Sequence, residues 1–208
     1  MEVLRTGAQR AFHNLTQPFS NLLIRLGVTP NTITTVGAGF VVASAVAFGA
    51  GWIRLGGGLL ILSGVIDTLD GQVARSSGQA TRFGAFYDSN LDRVGDGATF
   101  IGIAVYLLTT PGIRWPVPGA VACMLAVLTS LMVSYARARA EGLGLACKVG
   151  LVQRAERMGL IGIPALFAGP GPGGQLLLAT VALVALGSLI TVLQRFLYVY
   201  RVTAADRG

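Results

Sequence analysis

The sequence predicts an all-α integral membrane protein, with six transmembrane helices behind an amphipathic helix that lies in the membrane interface. Three observations predict it. Of 208 residues, 53% are hydrophobic and only 12% charged, with a mean hydropathy of +0.67. A soluble domain carries roughly 25% charged residues, so half that load leaves too little polar surface to face water on all sides. Uncharged runs recur near the length of about 20 residues that crosses a bilayer. The basic residues, finally, segregate to one end of those runs. A net charge of +7 and a pI near 10.3 invite a nucleic-acid partner, but the hydropathy excludes that class and assigns the charge to one membrane face.

Residues 1–28 set Phe12, Leu15, Phe19, Leu22, Leu23 and Leu26 three and four apart. That spacing suits a helix lying apolar side down in the interface, or one packed on the rest of the protein. Thr29-Pro30-Asn31 ends it and opens the membrane domain, 29–208, whose first span is 32–53. Only twelve residues separate Arg54 from Asp67. The second span, about 57–76, therefore has to carry Asp67 and Asp70 to the membrane edge. The third, about 83–110, mirrors it: 97–113 is uncharged, and extension backwards takes in Asp96, Arg93, Asp92 and Asp88. The fourth is 115–140. Residues 158–194 are uncharged but too long for one crossing. Gly169-Pro170-Gly171-Pro172-Gly173-Gly174 divides them by its turn chemistry. The fifth span is then about 151–168, carrying Arg154, Glu156 and Arg157, and the sixth about 174–200.

Six spans put both termini on one side. The basic residues are fifteen arginines and Lys148, and only Arg54 and Arg114 fall in turns at the opposite face. By the positive-inside rule the termini face the cytoplasm of a multi-pass cell-membrane protein. Cys123 and Cys147 are too few for a disulfide framework, and His13 is the only histidine. A His/Cys metal site and a Ser-His-Asp route are thereby excluded. Arg5, Arg10 and Arg25 interrupt any early apolar run, so no secretory signal peptide is expected.

Five of the nine acids, Asp67, Asp70, Asp88, Asp92 and Asp96, crowd the cytoplasmic ends of spans two and three. Ionisable groups in a membrane are costly and usually functional. Asp67 and Asp70 are three apart and share a helix face, as do Asp88 and Asp92, four apart. Gly71 adjoins Asp70 and Gly84 lies four before Asp88, so backbone or ligand can approach closely there. Ser76-Ser77-Gly78-Gln79 reads as the turn of an antiparallel hairpin that gathers four carboxylates. Such a set repels itself in a partly dry cleft, and a divalent cation relieves the conflict. All-oxygen ligation favours Mg²⁺, Mn²⁺ or Ca²⁺ over zinc, and two ions could share bridging carboxylates. The alternative is interfacial ion pairing with Arg75, Arg82 and Arg93. For Asp96, one turn deeper, ion pairing of this kind and the orienting of a neighbour are both open.

The string Asp67, two residues, Asp70-Gly71, two residues, Ala74-Arg75, eight residues, Gly84, three residues, Asp88, three residues, Asp92 resembles, at every fixed position, the signature of the CDP-alcohol phosphotransferase family. The six-span layout with an interfacial helix is also similar, so the resemblance covers nearly the whole chain. It implies an enzyme, typically a homodimer, that moves a phosphatidyl-type group from a CDP-linked lipid to an alcohol and releases CMP at the cytoplasmic interface. It further implies that Asp67, Asp70, Asp88 and Asp92 hold Mg²⁺, with Mn²⁺ possible, as two ions, and that Asp92 is the general base. Asn31, Thr34, Asp70, Gly71, Ala74, Arg75, Thr81 and Gly84 match positions that accommodate the CDP-lipid, Arg75 reaching its diphosphate. For Asn31, capping of the following helix is a sufficient other explanation. The residues suit the chemistry, because attack on phosphorus needs charge neutralisation and alignment more than covalent help. A carboxylate within hydrogen-bond reach can take the hydroxyl proton.

A second constellation bears on the alcohol: Ser134-Tyr135-Ala136-Arg137-Ala138-Arg139-Ala140-Glu141, Lys148, Gln153-Arg154-Ala155-Glu156-Arg157 and Gln194-Arg195. Convergent guanidinium groups suit a phosphate on the acceptor; positive-inside anchoring is the other reading of any one of them. These segments resemble the branch of the family that converts inositol 1-phosphate with CDP-diacylglycerol, and the archaeal branch that uses an ether lipid. The resemblance implies that Arg137, Arg154 or Arg157, and Arg195 bind the acceptor phosphate. Glycerol 3-phosphate is the alternative acceptor. A transporter or a non-catalytic metal-binding membrane protein is the alternative of another class, but it would place acids at mid-span.

Overall fold

The computed structural model describes residues 17–205, and within them there are helices and no strand. Phe12, His13 and Leu15 of the expected interfacial helix lie outside the described residues. Helix α1 covers 17–25; Phe19, Leu22 and Leu26 point outward from it while Ser20 is buried. There follow α2 (Pro30–Gly49), α3 (Ile53–Ser76), α4 (Arg82–Thr109), α5 (Pro116–Gly142), α6 (Arg154–Ala168), a 3₁₀ turn (Pro172–Gly174) and α7 (Gln175–Ala205).

Local chemistry explains the boundaries. Thr29 caps α2, its Oγ1 accepting the Thr32 N–H at 3.3 Å, and Pro30 takes the first helical position, where a missing N–H costs nothing. Pro116 opens α5 in the same way. Gly169 and Gly171 adopt φ of +70° and +72°, left-handed backbone that glycine reaches without steric cost. The break between α6 and α7 sits there.

Several helix ends differ from the expectation: α2 stops at Gly49 instead of 53 and α3 starts at Ile53 instead of 57, because the chain turns at Gly51, φ +83°. α6 begins at Arg154 instead of 151, because α7 captures the preceding backbone: Leu151 N–H donates to Gln194 Oε1 and Val152 N–H to Thr191 Oγ1. α7 continues to Ala205 instead of 200, since no Gly or Pro interrupts 201–205. Among the described residues three helical stretches are long and apolar enough to cross a membrane, Pro30–Gly49, Pro116–Gly142 and Pro172–Ala204. α3 and α4 carry the acids, and α6 has only 15 residues.

The chain divides into two compact units. One joins the described residues up to Phe40 with Leu62–Asp92, and the other joins Val41–Ile61 with the chain from Arg93 onward. In the second, Phe48, Ile103, Leu107, Leu177, Val181 and Val184 form a fully buried core, and α7 packs along α5 and α6. α2 and α4 meet there at Gly102, where any Cβ would fall on the Ala45 carbonyl. In the first unit Gly37 lies against Ile66, so this small residue packs within the chain, and Gly39 is exposed, as is Ala43 of the second unit.

Candidate metal and nucleotide site

The candidate site lies wholly in the first unit. α3 ends at Ser76, the chain reverses through Gly78 at φ +69°, and Thr81 caps α4 by accepting the Gly84 N–H at 2.9 Å. This tight hairpin sets the C-terminal turns of α3 beside the N-terminal turns of α4. One carboxylate oxygen from each of Asp67, Asp70 and Asp88 consequently lies within 4.8 Å of the others. Asp92, half-buried, stands one turn further along α4, outside that triplet. Three charged oxygens at this separation, with no sulfur or imidazole among them, fit a hard divalent cation held at roughly 2.0–2.6 Å per ligand. The donor set therefore suits Mg²⁺ or Mn²⁺.

Asp70 is 7% exposed, and α2 reaches it: Thr34 Oγ1 donates to Asp70 Oδ2 at 2.6 Å. Thr34 thus orients a carboxylate of the triplet. Groups that fix metal ligands are commonly worth 10–100-fold in metal affinity or activity. Thr34→Val keeps the shape and removes the donor, so it should weaken Mn²⁺ binding about tenfold, read by calorimetry on the detergent-solubilised protein. Unchanged Mn²⁺ affinity would show that Thr34 does not act through Asp70.

Asn31, Thr34, Asp70, Gly71, Ala74, Arg75, Thr81 and Gly84 all line one cleft of about 180 Å³, with Pro30, Gln79, Ala80, Ala85 and Asp88 completing its wall. The two glycines keep it open. A Cβ on Gly84 would come 3.1 Å from both Asn31 Oδ1 and Thr81 Oγ1, and one on Gly71 would come 3.2 Å from Arg75 Nη1. Sequence reasoning passed over Tyr87, which bonds Thr35 of α2 at 3.0 Å and stacks on Phe83 with ring centroids 5.8 Å apart. The spacing of Phe83 and Tyr87, four apart beside Gly84, was the available signal.

The arginines lie in the second unit and differ in kind. Arg137 is exposed and pairs with Glu141 at 2.8 Å. Arg157 is 3% exposed, its Nη2 2.5 Å from Asp96 Oδ2, while Arg154 Nε stands 3.9 Å from Asp96 Oδ1. Glu156 closes a capping box, its Oε2 accepting the Gln153 N–H. Arg195 is also 3% exposed; its Nε donates to Val149 O at 2.9 Å and its Nη1 to Val133 O.

Apolar helices of membrane-crossing length and a cleft walled by carboxylates define an integral membrane protein suited to divalent-metal chemistry. The family model for CDP-alcohol phosphatidyltransferase matches residues 27–200, and the chain belongs to that family of transferases. Phosphatidylinositol phosphate synthase of Mycobacteroides abscessus is 40% identical over 190 residues, 90% of this chain and 84% of that protein. The Streptomyces avermitilis protein of the same name is 39% identical over 97% of this chain and 84% of its own length. Among solved structures, Mycobacterium tuberculosis phosphatidylinositol phosphate synthase with CDP-DAG bound superposes with a TM-score of 0.80. It is 33% identical, and the match covers 90% of this chain and 94% of that one. The same enzyme in complex with manganese and citrate gives 0.79 at 34% identity, covering 89% and 88%.

Proposed function

We propose that this protein transfers the phosphatidyl group of CDP-diacylglycerol, or an ether analogue, to inositol 1-phosphate, releasing CMP and giving phosphatidylinositol phosphate. One observation carries the reading. Asp70 and Asp88 of the carboxylate triplet line the same cleft as the residues matched to the CDP-lipid, in a family whose relatives bear that enzyme name.

Asp67, Asp70, Asp88 and Asp92 would hold Mg²⁺ or Mn²⁺, as two ions; a structure of the tuberculosis relative contains manganese. Such ions would supply positive charge against the diphosphate and the departing phosphate of CMP. The rest is the work of side chains. Gly71, Ala74 and Gly84 leave room for the nucleotide, Asn31, Thr34 and Thr81 offer polar contacts, and Arg75 supplies positive charge to the diphosphate. Asp92 accepts the acceptor's hydroxyl proton as that oxygen bonds the lipid-bearing phosphorus; the bond from phosphorus to CMP breaks, and its electron pair leaves with CMP. Arg137, Arg154, Arg157 and Arg195 attract the acceptor's phosphate. In this reading residues 29–208 form six spans, α2 to α7, behind an interfacial helix at 1–28. The protein is a homodimer in the cell membrane with its cleft and termini on the cytoplasmic side.

The test is CMP release by purified protein with CDP-diacylglycerol and Mg²⁺ or Mn²⁺ across inositol 1-phosphate, glycerol 3-phosphate, inositol and serine. Release stimulated by inositol 1-phosphate alone and abolished by EDTA is the expected result. Stimulation by glycerol 3-phosphate instead would overturn the acceptor and keep the chemistry.

A further inference from the structure

We propose that Asp96 is a positioning residue for the acceptor, holding Arg157 and Arg154 in place at the N-terminus of α6. The inference rests on the reading above, in which those arginines meet the acceptor's phosphate.

Arg154 and Arg157 occupy the first and fourth positions of α6 after the Gln153 cap. Helix N-termini carry partial positive charge and favour anions. Two arginines in this first turn therefore oppose the helix dipole, and broken local rules of this sort concentrate at functional sites. Asp96 is the acid that meets them: Oδ2 lies 2.5 Å from Arg157 Nη2 and Oδ1 3.9 Å from Arg154 Nε. Both guanidinium groups thus converge on one carboxylate.

The donors are also unevenly used. Arg157 Nε and Nη1 are buried without a hydrogen-bond partner, although the side chain is almost fully enclosed. A purely structural ion pair would satisfy those N–H groups, because leaving buried donors unmet is costly. Here the carboxylate meets one end of the guanidinium, and the buried Nε and Nη1 are the donors left over for an oxygen anion that reaches them. Asp96 touches no substrate in this arrangement; it acts through the arginines.

The experiment compares wild type, Asp96→Asn, Asp96→Glu, Arg157→Gln and the double variant Asp96→Asn/Arg157→Gln in detergent, measuring KM for both substrates and kcat. Asp96→Asn should raise KM for inositol 1-phosphate about tenfold and keep KM for CDP-diacylglycerol within about twofold, the size of effect that orienting groups have on what they orient. Asp96→Glu should recover much of that loss. The double variant should lose less than the two single losses combined, since Asp96 acts in part through Arg157 and in part through Arg154. That variant exchanges the ion pair for two neutral amides, so it keeps the test open if Asp96→Asn alone folds poorly. A wild type that uses inositol 1-phosphate, whose Asp96→Asn variant keeps its acceptor KM or raises both KM values equally, would overturn the assignment of Asp96. A wild type that ignores every phosphorylated alcohol would overturn the reading beneath it.

Discussion

Asp88→Asn is expected to cut metal-dependent CMP release by about a thousandfold or more without weakening the fold. The asparagine keeps the shape of the side chain and removes one of the three charged oxygens that lie within 4.8 Å of one another. Metal ions contribute several kcal/mol to transition-state stabilisation in such reactions, and a loss of about 4 kcal/mol is a factor of about a thousand. Stability should move the other way. Without a cation the three carboxylates repel, so neutralising one relieves repulsion, and the melting temperature in EDTA should hold or rise. Cation binding stabilises only the form that binds it, so the upward shift that Mn²⁺ gives the wild type should shrink. Asp92→Asn is the informative contrast, because Asp92 stands outside the triplet. Loss of a general base costs about 10²–10⁴-fold in rate, and the Mn²⁺-induced shift should shrink less than in Asp88→Asn, because the triplet stays complete. An Asp88→Asn protein that kept a tenth of its activity, or that melted earlier in EDTA, would remove Asp88 from the metal site.

The acids were legible in the sequence because membranes make charge expensive. An aspartate that interrupts a crossing needs a reason, and five of them at one edge point to a shared one. The helix starts at Pro30 and Pro116 and the break at Gly169–Gly174 were legible too, since these residues act through their own backbone. What could not be read depends on contacts between distant segments. The start of α6 moved because Thr191 and Gln194 of α7 hold residues 151 and 152, and no local pattern announces that. Thr34 matched a nucleotide-contacting position by resemblance, yet its hydrogen bond goes to Asp70, 36 residues away. For the arginines the sequence supplies charge and the end of the helix they occupy. It does not say that Arg157 is committed to Asp96 while Arg137 stays at the surface.

Arg195→Ala should destabilise the fold, where a surface arginine could be replaced at little cost. The structure buries Arg195 and spends two of its N–H groups on main-chain carbonyls, Val133 of α5 and Val149 of the segment before α6. It thereby ties α7 to α5 and to the loop that leads into α6. The alanine leaves the Val149 carbonyl unmet, at about 1–3 kcal/mol for an orphaned buried group, while Val133 keeps its place in the backbone ladder of α5 and loses only a second donor. For a chain of this length about 2–4 °C is lost per kcal/mol, so the melting temperature should fall by roughly 2–12 °C. Arg195→Lys should recover little, because one ammonium cannot reproduce the fork that reaches two carbonyls. Arg137→Ala is the control: its pair with Glu141 is exposed, and such pairs are worth about 0–1 kcal/mol. Both alanine variants should raise the acceptor KM if their charge helps attract a phosphate, but only Arg195→Ala should also melt early. Equal melting of the two variants would refute the clasp and return Arg195 to the role of a simple surface charge. An early-melting Arg195→Ala protein with an unchanged acceptor KM would leave Arg195 as structure alone and shift the acceptor's phosphate onto Arg154, Arg157 and Arg137.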